Sequence, residues 1–223
     1  MIDAGHRATS GRALPLRLLA FVVATAAMAG VAGGVVLHRL HAAPAPAAFA
    51  LPALHGQAVW AAGKRPAPNF ALRDQRGTLV TLGALRGRPV LMTFLDSQCK
   101  SSCPIEGRRL ASVLRRLPAA ARPTLVVVSV DPTGDTPAGI ERATREWGLA
   151  GPWRWHWLNA TWKQLSSVWR AYDISVVPAS NDVVHSLALL LIDRHGYERT
   201  AYLFPFLPGF VQHDLARLAG EGA

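Results

Sequence analysis

The sequence predicts an α/β domain with a central mixed β-sheet flanked by helices, preceded by an apolar membrane-spanning segment. Three observations carry this. Short apolar runs bounded by polar loops recur at Val90–Leu95, Leu125–Val130 and Leu187–Ile192, with the length and flanks of buried strands. Amphipathic stretches of helical length separate them, and a hairpin and a last helix follow, an order that places helices on both faces of a sheet. Ahead of everything, Leu18–Leu37 carries no charged residue.

That first segment matches the roughly 20 residues needed to cross a bilayer core as a helix. Arg7, Arg12 and Arg17 precede it and only Arg39 follows closely. The positive-inside rule then places residues 1–17 in the cytoplasm, a single-pass anchor at 18–38 in the cytoplasmic (inner) membrane, and the remainder in the periplasm or otherwise outside the cytoplasm. A cleaved signal peptide is the competing reading, with Ala48-Phe49-Ala50 as one cleavage site, but its apolar core is usually about 7–15 residues. Residues 39–68 are rich in Ala and Pro without a sustained period and are expected to form a semi-rigid tether. The globular domain is expected over 69–220.

Within it, Phe70–Leu72 and Leu79–Leu82 flank the turn Asp74-Gln75-Arg76-Gly77, a hairpin pattern. After the central strand Val90–Leu95, Pro104 suits the first turn of a helix reaching about Leu117, with Ile105, Leu110, Val113 and Leu114 on one side. Leu125–Val130 is the clearest buried strand. Thr136-Pro137 opens a helix that ends near Trp147-Gly148. Trp153, Trp155 and Trp157 alternate with Arg154 and His156 as on a half-buried strand. Thr161 and Gln164 form a capping box for a helix to about Tyr172. Leu187–Ile192 turns through Asp193–Gly196 into a partner strand, Tyr197–Phe204, and Phe210–Leu218 closes the domain as a helix.

Composition removes several functions. With 50% hydrophobic and 17% charged residues the chain is too rich in core-formers to be disordered. Its 2 cysteines cannot build a four-thiolate zinc or iron–sulfur site. The net charge of +10 would suit a nucleic-acid binder, but 21 of the 24 basic residues are Arg, as a GC-rich coding sequence produces by default. They are scattered, without the aromatic-interleaved stripe expected for RNA or single-stranded DNA, so no nucleic-acid partner is expected. Arg108, Arg109, Arg115 and Arg116 read as a solvated helix face rather than a steering patch.

Both cysteines lie in Asp96-Ser97-Gln98-Cys99-Lys100-Ser101-Ser102-Cys103-Pro104, between a core strand and the helix after it. Free N–H groups and the positive end of the helix dipole favour thiolate there, so Cys103, and to a lesser degree Cys99, is expected to have a lowered pKa. Asp96 opposes that effect and Lys100 supports it. The three-residue spacer lets the sulfurs meet each other or one soft metal ion; an inert pair or a plain disulfide is the bland alternative. By position, His38, His41 and His55 belong to the tether and are expected to be solvated. His156, His195 and His213 are assigned no metal role.

Four features in order then become specific: Leu85-Arg86-Gly87, CxxxCP at Cys99–Pro104, Ser129-Val130-Asp131-Pro132-Thr133-Gly134-Asp135-Thr136-Pro137, and Val184-His185-Ser186 leading into Leu191-Ile192-Asp193. Across 69–219 the chain resembles the Sco/SenC family of membrane-anchored copper chaperones, which have a thioredoxin-like fold. The resemblance implies a copper ion, Cu(I) or Cu(II), held by Cys99, Cys103 and His185. It also implies delivery to the copper centre of a cytochrome c oxidase subunit, or to another exported cuproprotein. Soft Cu(I) prefers thiolates and accepts an imidazole beside them, in keeping with that set. His185 is expected at the start of a core strand beside the cysteine loop. The counterparts of Asp131 and Asp135 belong to a loop near the site, where they orient the histidine or help recognise a partner; the alternative is that Asp135 and Thr136 simply cap and charge the next helix. The segment before Cys99 and the stretch Asp173–Val184 depart from the family's usual pattern.

This predicts a metallochaperone rather than an enzyme. The alternative is a thiol-disulfide oxidoreductase using Cys99 and Cys103 as its redox pair to keep acceptor cysteines reduced, without an obligatory metal. A peroxiredoxin is disfavoured, because the Pro and Thr of its peroxide-binding loop would fall on Asp96 and Lys100.

Overall fold

The structure, a computed structural model, describes residues 54–179 and 183–221, together with seven helical positions between Thr25 and Leu37. The anchor expected over 18–38 lies mostly outside the described residues, as does the tether up to residue 53. Among the described residues no helix is long and apolar enough to cross a membrane.

An eight-stranded sheet organises the domain, in the order β1-β10-β9-β4-β5-β6-β2-β3. In sequence its strands are β1 (Ala58–Val59), β2 (Ala71–Asp74), β3 (Leu79–Thr81), β4 (Val90–Leu95), β5 (Thr124–Ser129), β6 (Trp155–Asn159), β9 (Ala188–Ile192) and β10 (Glu198–Leu203). A separate two-stranded ribbon pairs β7 (Val176–Pro178) with β8 (Val183–His185). Strands β4, β5 and β6 are parallel, joined through helices α1 (Ser102–Arg116) and α2 (Pro137–Trp147). Strand β9 returns antiparallel to β4, and β2 antiparallel to β6, so the sheet is mixed as expected. Helices α3 (Trp162–Ala171) and α4 (Pro208–Gly220) complete the fold.

Side-chain alternation splits the core into two layers. Leu91 and Leu95 of β4 and Leu125 and Val127 of β5 pack with Leu110, Ile140, Trp147 and Leu215 from α1, α2 and α4. Val90, Met92 and Phe94, with Val126 and Val128, face Leu165 and Trp169 of α3 on the other side. Every residue of β4 and β5 is buried, which is why both read as continuous apolar runs. Burying each of these large side chains stabilises the domain by about 1.5–3 kcal/mol.

The expected caps are present. Thr136 Oγ1 accepts from Gly139 N–H, and Gly148 closes α2 at φ 74°, a conformation that favours glycine. Thr161 and Gln164 form the capping box of α3. Three expectations need correction. Residues 54–68 are not a free tether: Ala58 and Val59 pair with Ala201 and Thr200, Trp60 N–H donates to Arg199 O, and Tyr172 Oη donates to Pro68 O. Their extended, Pro-rich character was legible, but their partners lie some 140 residues away. His55 is held rather than solvated, its Nδ1 lying 2.7 Å from Asp214 Oδ1. Ile105 does not join the apolar side of α1 but is 43% exposed.

Candidate metal centre

Strand β4 ends at Leu95, and the chain turns through Asp96–Cys99, closed by Cys99 N–H donating to Asp96 O. Helix α1 begins at Ser102, which puts Cys103 in its first turn and Cys99 in the loop before it. The loop is fastened from behind by the segment after β5. Ser97 N–H donates to Asp135 Oδ1 at 2.7 Å, and Trp157 Nε1 donates to Asp135 Oδ2 at 3.0 Å. Gln98 Nε2 donates to Gly134 O at 3.0 Å. A Cβ on Gly139 would stand 2.6 Å from Gln98 Nε2 and 3.0 Å from Ser97 Oγ, so a side chain there would displace the Gln98 amide from its place between the two segments. Asp131 folds its own turn, accepting from Thr133 and Gly134 N–H. Thr136, not Asp135, caps α2; Asp135 instead anchors the cysteine loop and Asp131 shapes its own segment.

Both cysteines are free thiols, Cys99 half-buried and Cys103 fully buried. Their titration reverses the sequence expectation. A hydrogen bond from the Cys103 thiol, helped by Ser101 Oγ at 3.6 Å and by backbone N–H groups, holds the Cys99 thiol well below its usual range. Cys103, giving that bond and buried, is pushed far up. The hydrogen bond between the two sulfurs, with the burial of Cys103 beside it, therefore outweighs the position in the helix, and Cys99 carries the thiolate. Asp96 is buried too, and burial, together with the charges of Asp135, Asp131 and Cys99, raises its carboxyl to about 7.

His185 is the last residue of β8, not the first of a core strand. Val176 pairs with His185 in the ribbon, Ser186 N–H donates to Ser175 O, and the chain then enters β9. This brings His185 Nε2 to 3.6 Å from Cys103 Sγ across 82 positions of sequence. Its Nδ1 lies 3.0 Å from Ser186 O, a carbonyl that can only accept. Nδ1 thus carries the proton, and Nε2 presents its lone pair to the sulfur. The structure brings together Cys103 with His185, and Cys103 with Cys99. Two sulfurs and a neutral imidazole form a donor set suited to a soft cation. Among the described residues, the one set of three ligand atoms all within 4.8 Å of one another is different, His55, His213 and Asp214.

A cavity of about 430 Å³ opens beside the loop, lined in part by Asp96, Cys99, Lys100, Asp131, Trp162 and Val183. It gives Cys99 an approach from solvent. Arg109 is committed elsewhere, donating to Phe206 O and lying over the Phe204 ring, while Arg108, Arg115 and Arg116 are exposed. His156 Nδ1 contacts Asp74, away from the thiols, in keeping with its non-metal assignment.

The sequence is 31% identical over 141 residues to the Bos taurus "Protein SCO2 homolog, mitochondrial", covering 57% of this chain and 50% of the relative. The chain spans about half the length of the curated relatives it matches. Among solved structures it is similar to Bradyrhizobium japonicum ScoI with copper bound, with TM-score 0.57 and 26% identity over 69% of this chain and 99% of that one. It is also similar to BsSco, described as a member of the Sco family of cytochrome c oxidase assembly proteins with a disulfide switch. That match has TM-score 0.60 over 74% of this chain and 99% of that one, and at 19% identity it bears on the fold alone, which is thioredoxin-like. The SCO1/SenC family matches residues 61–219, a span that takes in the cysteine loop, the Asp131–Pro137 segment and His185 together, and the chain belongs to that family.

Proposed function

We propose that this protein is a membrane-anchored copper metallochaperone. It holds copper through Cys99, Cys103 and His185 and passes it to the copper centre of a cytochrome c oxidase subunit. The observation that carries the proposal is the approach of His185 Nε2 to Cys103 Sγ at 3.6 Å, with Nδ1 tied to the Ser186 carbonyl. A redox pair needs no imidazole at that place, whereas a copper site does. Family membership and the copper-bound ScoI relative support the cargo. Transfer proceeds by ligand exchange: an acceptor thiolate enters as a copper ligand while one of the chain's own ligands leaves, with no change in the metal's oxidation state. Cys99, half-exposed beside the cavity, is the ligand that departs first. The charge-free stretch 18–37 and the arginines ahead of it support anchoring with the domain outside the cytoplasm.

The thiol-disulfide reading is favoured by one specific observation, the pairing of a half-exposed thiolate at Cys99 with a buried thiol at Cys103, the arrangement of an attacking and a resolving sulfur. Titrating the reduced chain with Cu(I) against a competing chelator separates the two. Tight binding of one copper that weakens in both His185→Ala and Cys99→Ser/Cys103→Ser supports the chaperone. Binding that ignores His185, alongside intact disulfide reduction, makes the protein a reductase.

A further inference from the structure

Asp214 of α4 is fully buried, and its carboxylate is held from two sides. Oδ2 accepts from the backbone N–H of His55 at 2.7 Å and from the Tyr202 hydroxyl at 2.5 Å, which fixes its orientation. Oδ1 faces two imidazoles, with His55 Nδ1 at 2.7 Å and His213 Nδ1 at 3.1 Å. Both Nδ1 atoms thus meet at Oδ1, from rings that stand at 88° with centroids 4.8 Å apart. His55 is fixed by stacking on Phe210 at 4.6 Å and 11°. Among the described residues, the ion-pair partners of Asp214 are these two imidazoles.

We infer that His55, His213 and Asp214 form a second metal site, separate from the cysteines, for a divalent first-row cation of the zinc or Cu(II) class. Two imidazoles and a carboxylate suit such ions, whereas soft Cu(I) prefers thiolates. Ligands of a tetrahedral ion at about 2.0–2.1 Å stand roughly 3.4 Å apart. The spacings from Oδ1 to the two Nδ1 atoms, 2.7 and 3.1 Å, are shorter than that and the three ligand atoms lie within 4.8 Å of one another, so the rings swing apart from Oδ1 to admit an ion between them. Each neutral imidazole then binds through Nδ1 and carries its proton on Nε2. Tyr202 and the His55 backbone supply the outer hydrogen bonds that orient the carboxylate. The His213 side chain is 57% exposed, leaving a path from solvent and a fourth position for water. An ion here clamps the segment entering β1 onto the last helix.

Zn(II) is the probe, and the full chain carrying Cys99→Ser and Cys103→Ser is the background, so that no thiolate competes. Titration against a chromophoric chelator is expected to show one bound zinc whose affinity falls at least tenfold in His55→Ala and in His213→Ala. Thermal melts with and without zinc provide a second readout: zinc raises the midpoint of the background chain and leaves that of the exposed-site variant His213→Ala unmoved. No zinc binding in the background, or an affinity unchanged by either histidine substitution, overturns the site. Because the thiols are absent throughout, the result is independent of the copper proposal.

Discussion

Cys103 Sγ and His185 Nε2 lie 3.6 Å apart although 82 residues separate them, and each is positioned by a different part of the fold. Helix α1 holds the sulfur in its first turn, after the interior strand β4, and the β7–β8 ribbon delivers the imidazole with its far nitrogen on the Ser186 carbonyl. The thiol that meets the histidine is therefore the buried one, and the thiol that meets solvent is Cys99. That division of labour leads to the following expectations.

Cys99 is expected to react first with iodoacetamide, and to keep reacting at pH 6. Its pKa is lowered by the Cys103 hydrogen bond, so the thiolate persists below the usual thiol range and disappears only on strong acidification. Peptide mapping after brief alkylation checks this; modification predominantly at Cys103 contradicts it.

Glu106 sits in α1 one turn after Cys103, 1% exposed, accepting from Thr93 Oγ1 through Oε1, while Oε2 has no hydrogen-bond partner among the described residues. Burial raises its carboxyl to about 7. The folded state thus binds this proton more tightly than the unfolded chain does. Stability from the group is complete below the unfolded value near 4.5, falls as pH rises through that window, and is lost above about 7. Glu106→Gln is expected to cost little at pH 4 and to be more stable than the parent at pH 8, by roughly 2–4 kcal/mol at most. Denaturant melts at the two pH values measure it.

Gly107 lies where α1 crosses α2, and a Cβ there would stand 2.9 Å from Trp147 Cβ and Cε3. Alanine gains about 1 kcal/mol in helix propensity. Overpacking against a ring that is itself buried costs about 1–3 kcal/mol. Gly107→Ala is therefore expected to lower stability by up to about 2 kcal/mol, seen as a fall of up to a few degrees in Tm.

Asp135 accepts from Ser97 N–H and Trp157 Nε1 with different oxygens. Asp135→Asn presents an amide N–H₂ to one of those donors, at a cost of about 1–3 kcal/mol. Faster hydrogen exchange at the Ser97 amide and weaker copper retention are the expected signs, since the loop carrying Cys99 loses its rear anchor.

Much of this fold was legible because its signals are local. The buried strands β4, β5 and β9 are mainly apolar runs, with Thr93 inside β4 and Thr124 and Ser129 at the ends of β5, and Thr136, Gly148 and the Thr161–Gln164 box mark helix ends by their own side-chain or backbone chemistry. What was not legible depends on distant partners. Ala58 and Val59 carry no strand pattern and become a strand only by pairing with β10. The β7–β8 ribbon is short, contains Pro178 and exposes Val177 and Val184, so it read as loop and put His185 on the wrong strand. The order of the thiols was inverted because helix position is visible in sequence, whereas the bond between the two sulfurs and the burial of Cys103 are not. His55, assigned to a solvated tether, has its partner 159 residues later.

Copper K-edge X-ray absorption on the reduced full chain loaded with one Cu(I) tests the central claim most directly. Two sulfur scatterers and one nitrogen are predicted, with the nitrogen lost in His185→Ala and the sulfurs lost in Cys99→Ser/Cys103→Ser. A spectrum left unchanged by His185→Ala, or a copper retained without the thiols, contradicts the assignment of Cys99, Cys103 and His185 as the ligands.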